Sequence, residues 1–180
     1  MSTINGIRNK GFTLIELIVV VGILSVIVTV AMIVLDPVSQ VQKASDSRRK
    51  ADLAQIQKAL ESYYQDNGNY PDTKNYLIVD LTNGPISWGK PWVPYMNIMP
   101  KDPNPEYKYA YFTPKDRQSY YLYATLERGD KDPQACKGGL ICDSISTNGV
   151  STTACTNKTV TKYSGFKVCN YAVTSPDVSP

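Results

Sequence analysis

The sequence predicts an α+β chain: a long N-terminal α-helix, apolar in its first half and amphipathic in its second, packed on a small antiparallel β-sheet head. Three observations predict it. From Phe12 to Leu35 the chain carries one charge, Glu16. The following segment, to about Asp66, is rich in helix formers with one apolar face. Beyond Gly68, short aromatic runs alternate with Pro and Gly, the pattern of short strands and turns.

The 24 residues from Phe12 to Leu35 span about 36 Å as a helix, enough to cross a bilayer with some tilt. A cleaved secretory signal has a shorter apolar core and a small-residue site after it. Here the run is too long and "MIVLDP" offers no such site. Lys and Arg flank both ends, with Arg8 and Lys10 before and Lys43, Arg48, Arg49 and Lys50 after. Charge alone therefore does not place the N-terminus in the cytoplasm.

Asp36-Pro37 is a point where the helix kinks or loosens, because Pro removes one backbone donor. After it Leu53, Ile56, Leu60 and Tyr63 recur at i, i+3, i+7 and i+10, with Arg49, Lys50 and Lys58 mainly off that face. Gly68 and Pro71 stop the helix. One helix over Phe12 to Asp66 would be about 80 Å long. The stretch from Gly68 to Pro105 reads as an ordered loop with turns, pinned by Trp88, Trp92 and Tyr95. "EYKYAYFT" and "YYLYATLE", separated by "PKDRQS", predict an antiparallel hairpin. A third strand is expected within "KYSGFKVCNYAV", and residues 128–162 as mostly loop.

Composition excludes several chemistries. The chain has 180 residues and no His. Imidazole acid-base catalysis, Ser-His and Cys-His nucleophiles and imidazole metal sites are therefore absent. A formal charge of +3 is too small to imply a polyanionic partner. The four Cys at 136, 142, 155 and 169 contain no C-x-x-C pair, which disfavours zinc. An even, clustered set in a Thr/Ser/Gly-rich tail favours disulfides and an oxidising compartment. Three pairings are open, and nearness in sequence leans toward Cys136–Cys142 with Cys155–Cys169.

The segment "KGFTLIEL", Lys10 to Leu17, combines a short basic leader, Gly11, Phe12 and a carboxylate at the fifth position after the Gly, all opening a long apolar helix. It resembles the type IV pilin and type II secretion pseudopilin superfamily. "ADLAQIQKALESYYQDNGNYP" extends the resemblance toward major pseudopilins, and past about residue 113 it fades. The resemblance implies a pilin-like fold. It also implies removal of the leader Met1–Gly11 by a prepilin peptidase, with cleavage between Gly11 and Phe12 and N-methylation of Phe12. The subunit would sit in the cytoplasmic membrane as a single-pass protein with its head outside. It would then pack with copies of itself into an extracytoplasmic or cell-surface filament built on an inner-membrane assembly platform.

The residues agree with that implication. Gly11 lets a protease approach its peptide closely. Cutting there removes two of 19 basic residues and no acidic ones, leaving 17 against 16. It also creates an amine at Phe12. An intramembrane carboxylate costs at least about 2.5–3.5 kcal/mol on insertion scales and usually marks function. Glu16 of one subunit is therefore expected to pair with the Phe12 amine of a neighbour; the competing reading sets Glu16 at the headgroup boundary, favoured by the helix dipole. Gly22, Ser25 and Thr29 offer weak support for close helix packing.

Other constellations have plainer readings. Asp116, Glu127, Asp130, Asp132 and Asp143 surround the end of the second aromatic run. No cofactor is expected from them. Calcium, which some major pseudopilins bind in a C-terminal loop, stays the one open alternative against a solvated acidic loop. Asn157-Lys158-Thr159 fits the N-glycosylation triplet, a pattern common by chance. Trp88, Trp92 and the Tyr residues with Lys108, Lys115 and Arg117 would suit a nucleic-acid stripe. A near-neutral processed chain argues against strong phosphate binding, and half-buried sheet aromatics are the better account.

The expected organisation is a leader over 1–11, a membrane and polymerisation helix over 12–35, its amphipathic continuation over 36–66 and a globular, disulfide-bearing head over 67–180. The expected function is a non-enzymatic filament subunit, pilin or major-pseudopilin-like. The alternatives are a minor pilin at a filament tip and a signal-anchored extracytoplasmic binding protein that does not polymerise.

Overall fold

The computed structural model describes residues 11–82, 84–157 and 168–178. The leader residues Met1–Lys10, the Lys162–Lys167 part of the expected third strand and Lys158-Thr159 of the glycosylation triplet lie outside the described residues. The chain divides into two units between Gln40 and Val41.

The first unit holds α1, Leu14–Leu35. From Leu14 to Met32 its large side chains are bare: Leu14 is 77 % exposed, Val20 50 % and Met32 60 %. Leu14–Met32 is long and apolar enough to cross a membrane. The hydroxyls of Ser25 and Thr29 donate to the carbonyls of Gly22 and Ser25 at 2.7 and 2.8 Å. Both are therefore satisfied inside the helix and leave no polar burden on an apolar surround.

The expected single helix is interrupted by one residue. Asp36 ends α1 in the left-handed region (φ 39°, ψ 70°) and α2 runs from Pro37 to Asn67. The ring of Pro37 disfavours the right-handed helical region at the preceding position. Asp tolerates the left-handed alternative better than most residues. The Asp36 carboxylate then accepts from Ser39 N at 3.3 Å, and Gln40 N bonds the Asp36 carbonyl.

In the second unit α2 presents a buried stripe of Asp46, Arg49, Asp52, Leu53, Ile56, Ala59, Leu60 and Tyr63. Its C-terminal half is apolar, as the spacing predicted. Its N-terminal half is ionic. Arg49, expected off the buried face, is 0 % exposed. The helix packs into a core with Tyr109, Tyr111, Tyr120, Leu122, Trp92 and Met99, all nearly or fully buried.

Among the described residues two three-stranded antiparallel sheets build the head. In the first, β1 (Asp72–Lys74), β2 (Leu77–Asp80) and β3 (Gly84–Ile86) lie in sequence order. This corrects the first part of the loop expected over Gly68–Pro105; from residue 87 to Pro105 the chain runs, as expected, through turns without a named strand. Lys74 faces Leu77, so the β1–β2 turn has two residues, Asn75 and Tyr76, both at positive φ (53° and 61°). That geometry matches the twist of a tight hairpin. Pro85 is tolerated because β3 is an edge strand.

In the second sheet β5 (Tyr121–Ala124) lies between β4 (Ala110–Phe112) and β6 (Tyr171–Thr174). The β4–β5 hairpin falls where the aromatic runs placed it, with Tyr111 opposite Leu122. β6 begins at the "NYAV" end of the segment expected to hold the third strand. One face of this sheet meets α2. The other carries Ala110 and Tyr123 against Cys142, Ile145, Val150 and Ala154 of the C-terminal segment. That segment contains 3-10 turns at Gly129–Lys131 and Cys136–Gly138 and a short helix α3, Asp143–Thr147.

Asn170 pins the segment to the sheet. Its amide oxygen accepts from Leu126 N at 2.7 Å and its amide nitrogen donates to Leu126 O at 3.0 Å. The two 3-10 turns approach so closely that a Cβ on Gly139 (φ +91°) would lie 2.4 Å from Asp130 N. No other residue fits there without backbone movement. Disulfides join Cys136 to Cys142 and Cys155 to Cys169.

Candidate processing and assembly site

The residues around the expected cleavage point form an exposed, non-helical lead into α1. Gly11 has open space where a Cβ would be, and Phe12 is 90 % exposed. Thr13 is extended (φ −81°, ψ 155°) and caps the helix. Its hydroxyl accepts from Glu16 N at 3.3 Å. The Glu16 carboxylate accepts in return from Thr13 N at 2.9 Å and from the Thr13 hydroxyl at 2.8 Å. Two helix-end donors are thereby satisfied reciprocally. Thr13 was missed as a partner of Glu16. The signal was present as T-x-x-E at the head of an apolar run. Within one chain, then, the lone carboxylate is held by its own helix start.

The second constellation lies on α2. Arg49 Nη1 donates to Asp46 at 2.8 Å, Nε and Nη2 to Asp102 at 2.9 and 3.0 Å, and Nη2 also to Glu127 at 2.9 Å. Its guanidinium lies 5.1 Å from the Tyr107 ring centre. Burial alone would lower its pKa. The bonds and charge of Asp102, then Glu127 and Asp46, more than offset this, so the proton is held more firmly than usual. Asp46 accepts in addition from the backbone N–H groups of Glu127 and Arg128 at 2.8 and 2.9 Å. One turn on, Asp52 accepts from the Tyr109 hydroxyl at 2.7 Å. The sequence signal was D-x-x-R-x-x-D in phase with the apolar stripe, which an apolar pattern search passes over.

The remaining candidates fall as follows. Glu127 pairs with Arg49, Asp132 with Lys50 and Asp143 with Lys137 at 2.6 Å. Asp116 shapes a turn by accepting from Gln118 N at 3.3 Å. Among the described residues no group of three or more acidic, Cys or His side chains is gathered to hold a metal. Of the aromatics of the nucleic-acid alternative, Trp92 is 1 % exposed and Tyr109, Tyr111 and Tyr120 are 0 %, while Trp88 is half-buried against the same core. The Asn157 amide donates to the carbonyls of Pro105 and Tyr107 at 2.8 and 3.1 Å.

Comparison with known proteins defines the class first. Residues 7–32 match the prokaryotic N-terminal methylation motif, the segment that contains Gly11, Phe12, Thr13 and Glu16. Residues 37–138 match the model for protein G of the type II secretion system. The chain belongs to the type II secretion system protein G family. Type II secretion system core protein G of Pseudomonas aeruginosa is 35 % identical over 124 residues, 65 % of this chain and 82 % of that one. The protein of the same name from Pectobacterium carotovorum is 31 % identical over 102 residues, 55 % of this chain and 64 % of that one. That of Vibrio cholerae is 30 % identical over 112 residues, 61 % and 75 %. The chain thus spans a little under two thirds of the Pectobacterium protein. No solved structure gives a significant match.

Proposed function

We propose that this chain is a structural subunit of a type II secretion filament, a major pseudopilin rather than an enzyme. On this reading it is cut between Gly11 and Phe12 and methylated on the new amine. It is anchored in the cytoplasmic membrane by α1 with its head outside, then drawn into a filament of its own copies through that helix. The observation that carries the reading is α1 itself. It is an apolar helix with its side chains bare from Leu14 to Met32, directly behind a methylation motif. Each large apolar side chain removed from water contributes about 1.5–3 kcal/mol. A bare helix of this kind therefore demands bilayer or neighbouring helices. A cleavage placed before it keeps it in the product.

Glu16 supports the same reading. Its carboxylate is satisfied by Thr13 in the single chain. Once Phe12 is freed, a neighbour's amine offers an opposite charge for it. The test is coexpression with a prepilin peptidase and the type II assembly machinery, followed by shearing and electron microscopy. Filaments that contain this chain are expected. A chain fully processed but found only as membrane monomers under those conditions would support the anchored, non-polymerising alternative.

A further inference from the structure

The acidic residues around the end of β5 left calcium as the one open alternative, and it is their oxygens that decide it. A calcium ion is held by about six to eight oxygen atoms turned inward. In the head the acids meet hydrogen-bond donors instead. Asp46 Oδ1 accepts from Arg49 Nη1 and from the N–H of Glu127, and its Oδ2 accepts from the N–H of Arg128. Asp102 Oδ2 accepts from Arg49 Nε, and its Oδ1 accepts from Arg49 Nη2 and from the N–H of Asn104 at 2.8 Å. Asp132 Oδ2 accepts from Lys50 Nζ at 2.5 Å, and its Oδ1 accepts from the N–H of Gln134 at 2.9 Å. Both oxygens of each of these three carboxylates are committed. Backbone N–H groups turned toward an ionic cluster favour anions there, not a further cation. Among the described residues this donor set does not fit a divalent metal.

It fits cations that carry their own hydrogens, and Arg49 and Lys50, adjacent on α2, supply them. The planar guanidinium fork reaches carboxylates from three segments: Asp46 of α2, Asp102 of the connection from β3 to β4, and Glu127 of the loop after β5. Lys50 takes the next part of that loop, at Asp132 and at the Gln134 side-chain oxygen 2.8 Å away. The Cys136–Cys142 disulfide closes the turn that follows. We infer that Arg49 and Lys50 are the resident cations of the head: they clasp the loop over 127–134 to α2, and the fold of the head is independent of divalent metal. The inference concerns the head alone and stands whether or not the chain polymerises. For the proposed filament it means that assembly is not gated by external calcium.

The test uses the full chain in neutral detergent, with thermal unfolding of the head followed by near-UV circular dichroism. One sample holds about 10 mM calcium chloride, at least about ten times the dissociation constant of weak extracellular calcium modules; the other holds excess EGTA. A site filled to that degree would raise the midpoint by about 3–10 °C. The two midpoints are expected to agree within about 1 °C. A midpoint raised saturably by calcium, or lowered by EGTA, would overturn the metal-independent clasp. Arg49→Lys, which keeps the charge and loses the fork, should lower the midpoint by at least about 3 °C in both media; a midpoint equal to the parent's would overturn the role of Arg49. Lys50→Gln leaves the Arg49 fork in place and tests the loop directly. Cleavage after Lys131 by endoproteinase Lys-C should become at least about threefold faster in this variant, with calcium or without it. Unchanged cleavage would overturn the role of Lys50.

Discussion

Arg49 shows how a single residue joins α2 to two distant loops. Three carboxylates, from Asp46, Asp102 and Glu127, converge on a guanidinium with no solvent exposure. Removing one partner of a buried ionic group leaves the others uncompensated, typically at about 3–5 kcal/mol. Arg49→Met is expected to destabilise the head by that amount in urea unfolding of the full chain followed by near-UV circular dichroism. A change under about 0.5 kcal/mol would show that water, not Arg49, satisfies the carboxylates. At Glu16 the expectation differs in kind. Glu16→Ala should leave cleavage after Gly11 intact and reduce filament yield sharply, and a normal yield would remove the pairing role. Glu16 was legible because a charge inside an apolar run stands out. Arg49 was not, since sequence gives no reason to bury a charged side chain until its partners, 53 and 78 positions away, are brought to it.

At the scale of elements, the aromatic hairpin β4–β5 was legible from two half-buried runs across a polar break. The sheet of β1, β2 and β3 was not. Its strands have three or four residues, too few for alternation to register, and its turn is Asn75-Tyr76 rather than the usual Asn-Gly signal. The break at Asp36 was half legible: Pro37 marked the place, while the left-handed turn that ends α1 is a backbone choice the sequence only permits. Two predictions belong here. Burial is the first cause that raises the pKa of Tyr109, Tyr111 and Tyr120, with Asp52 adding to it at Tyr109 and Glu61 at Tyr120. A group with a raised folded pKa stabilises fully below its unfolded value, here about 10, and that stability is lost as pH rises toward the folded value. The head should therefore unfold progressively above about pH 10. Tyrosinate absorbance of the core rings should appear with unfolding and not before it. Early, non-cooperative titration of all 13 Tyr would contradict the burial. The second prediction concerns the covalent clasps. Loop-entropy reasoning gives about 3 kcal/mol for Cys155–Cys169, which closes the longer loop, and about 2 for Cys136–Cys142. Cys155→Ser/Cys169→Ser should lower the unfolding midpoint more than Cys136→Ser/Cys142→Ser. Non-reducing peptide mapping should recover these two pairs.

Over the whole molecule, the two units answer to different surroundings. The head buries its own core around α2. α1 buries nothing among the described residues and carries its apolar surface outward. That division explains why the class could be read from the first 35 residues: a membrane-facing or filament-facing helix is dictated by composition alone, whereas the head depends on long-range pairing. The C-terminal segment is the least legible part. The family match ends at residue 138. The two disulfides there pair as nearness in sequence suggested, while the hold of Asn170 on Leu126, 44 positions away, and the close approach of Gly139 to Asp130 leave no sequence signal. The central claim, a filament subunit made by cutting ahead of its anchor, is tested most directly by mass analysis of the N-terminal peptide of the chain recovered from membranes. The account predicts a chain that begins at Phe12 and carries one methyl group on its amine. A chain that begins at Met1, or one cut after Leu35 so that the apolar helix is lost, would contradict it.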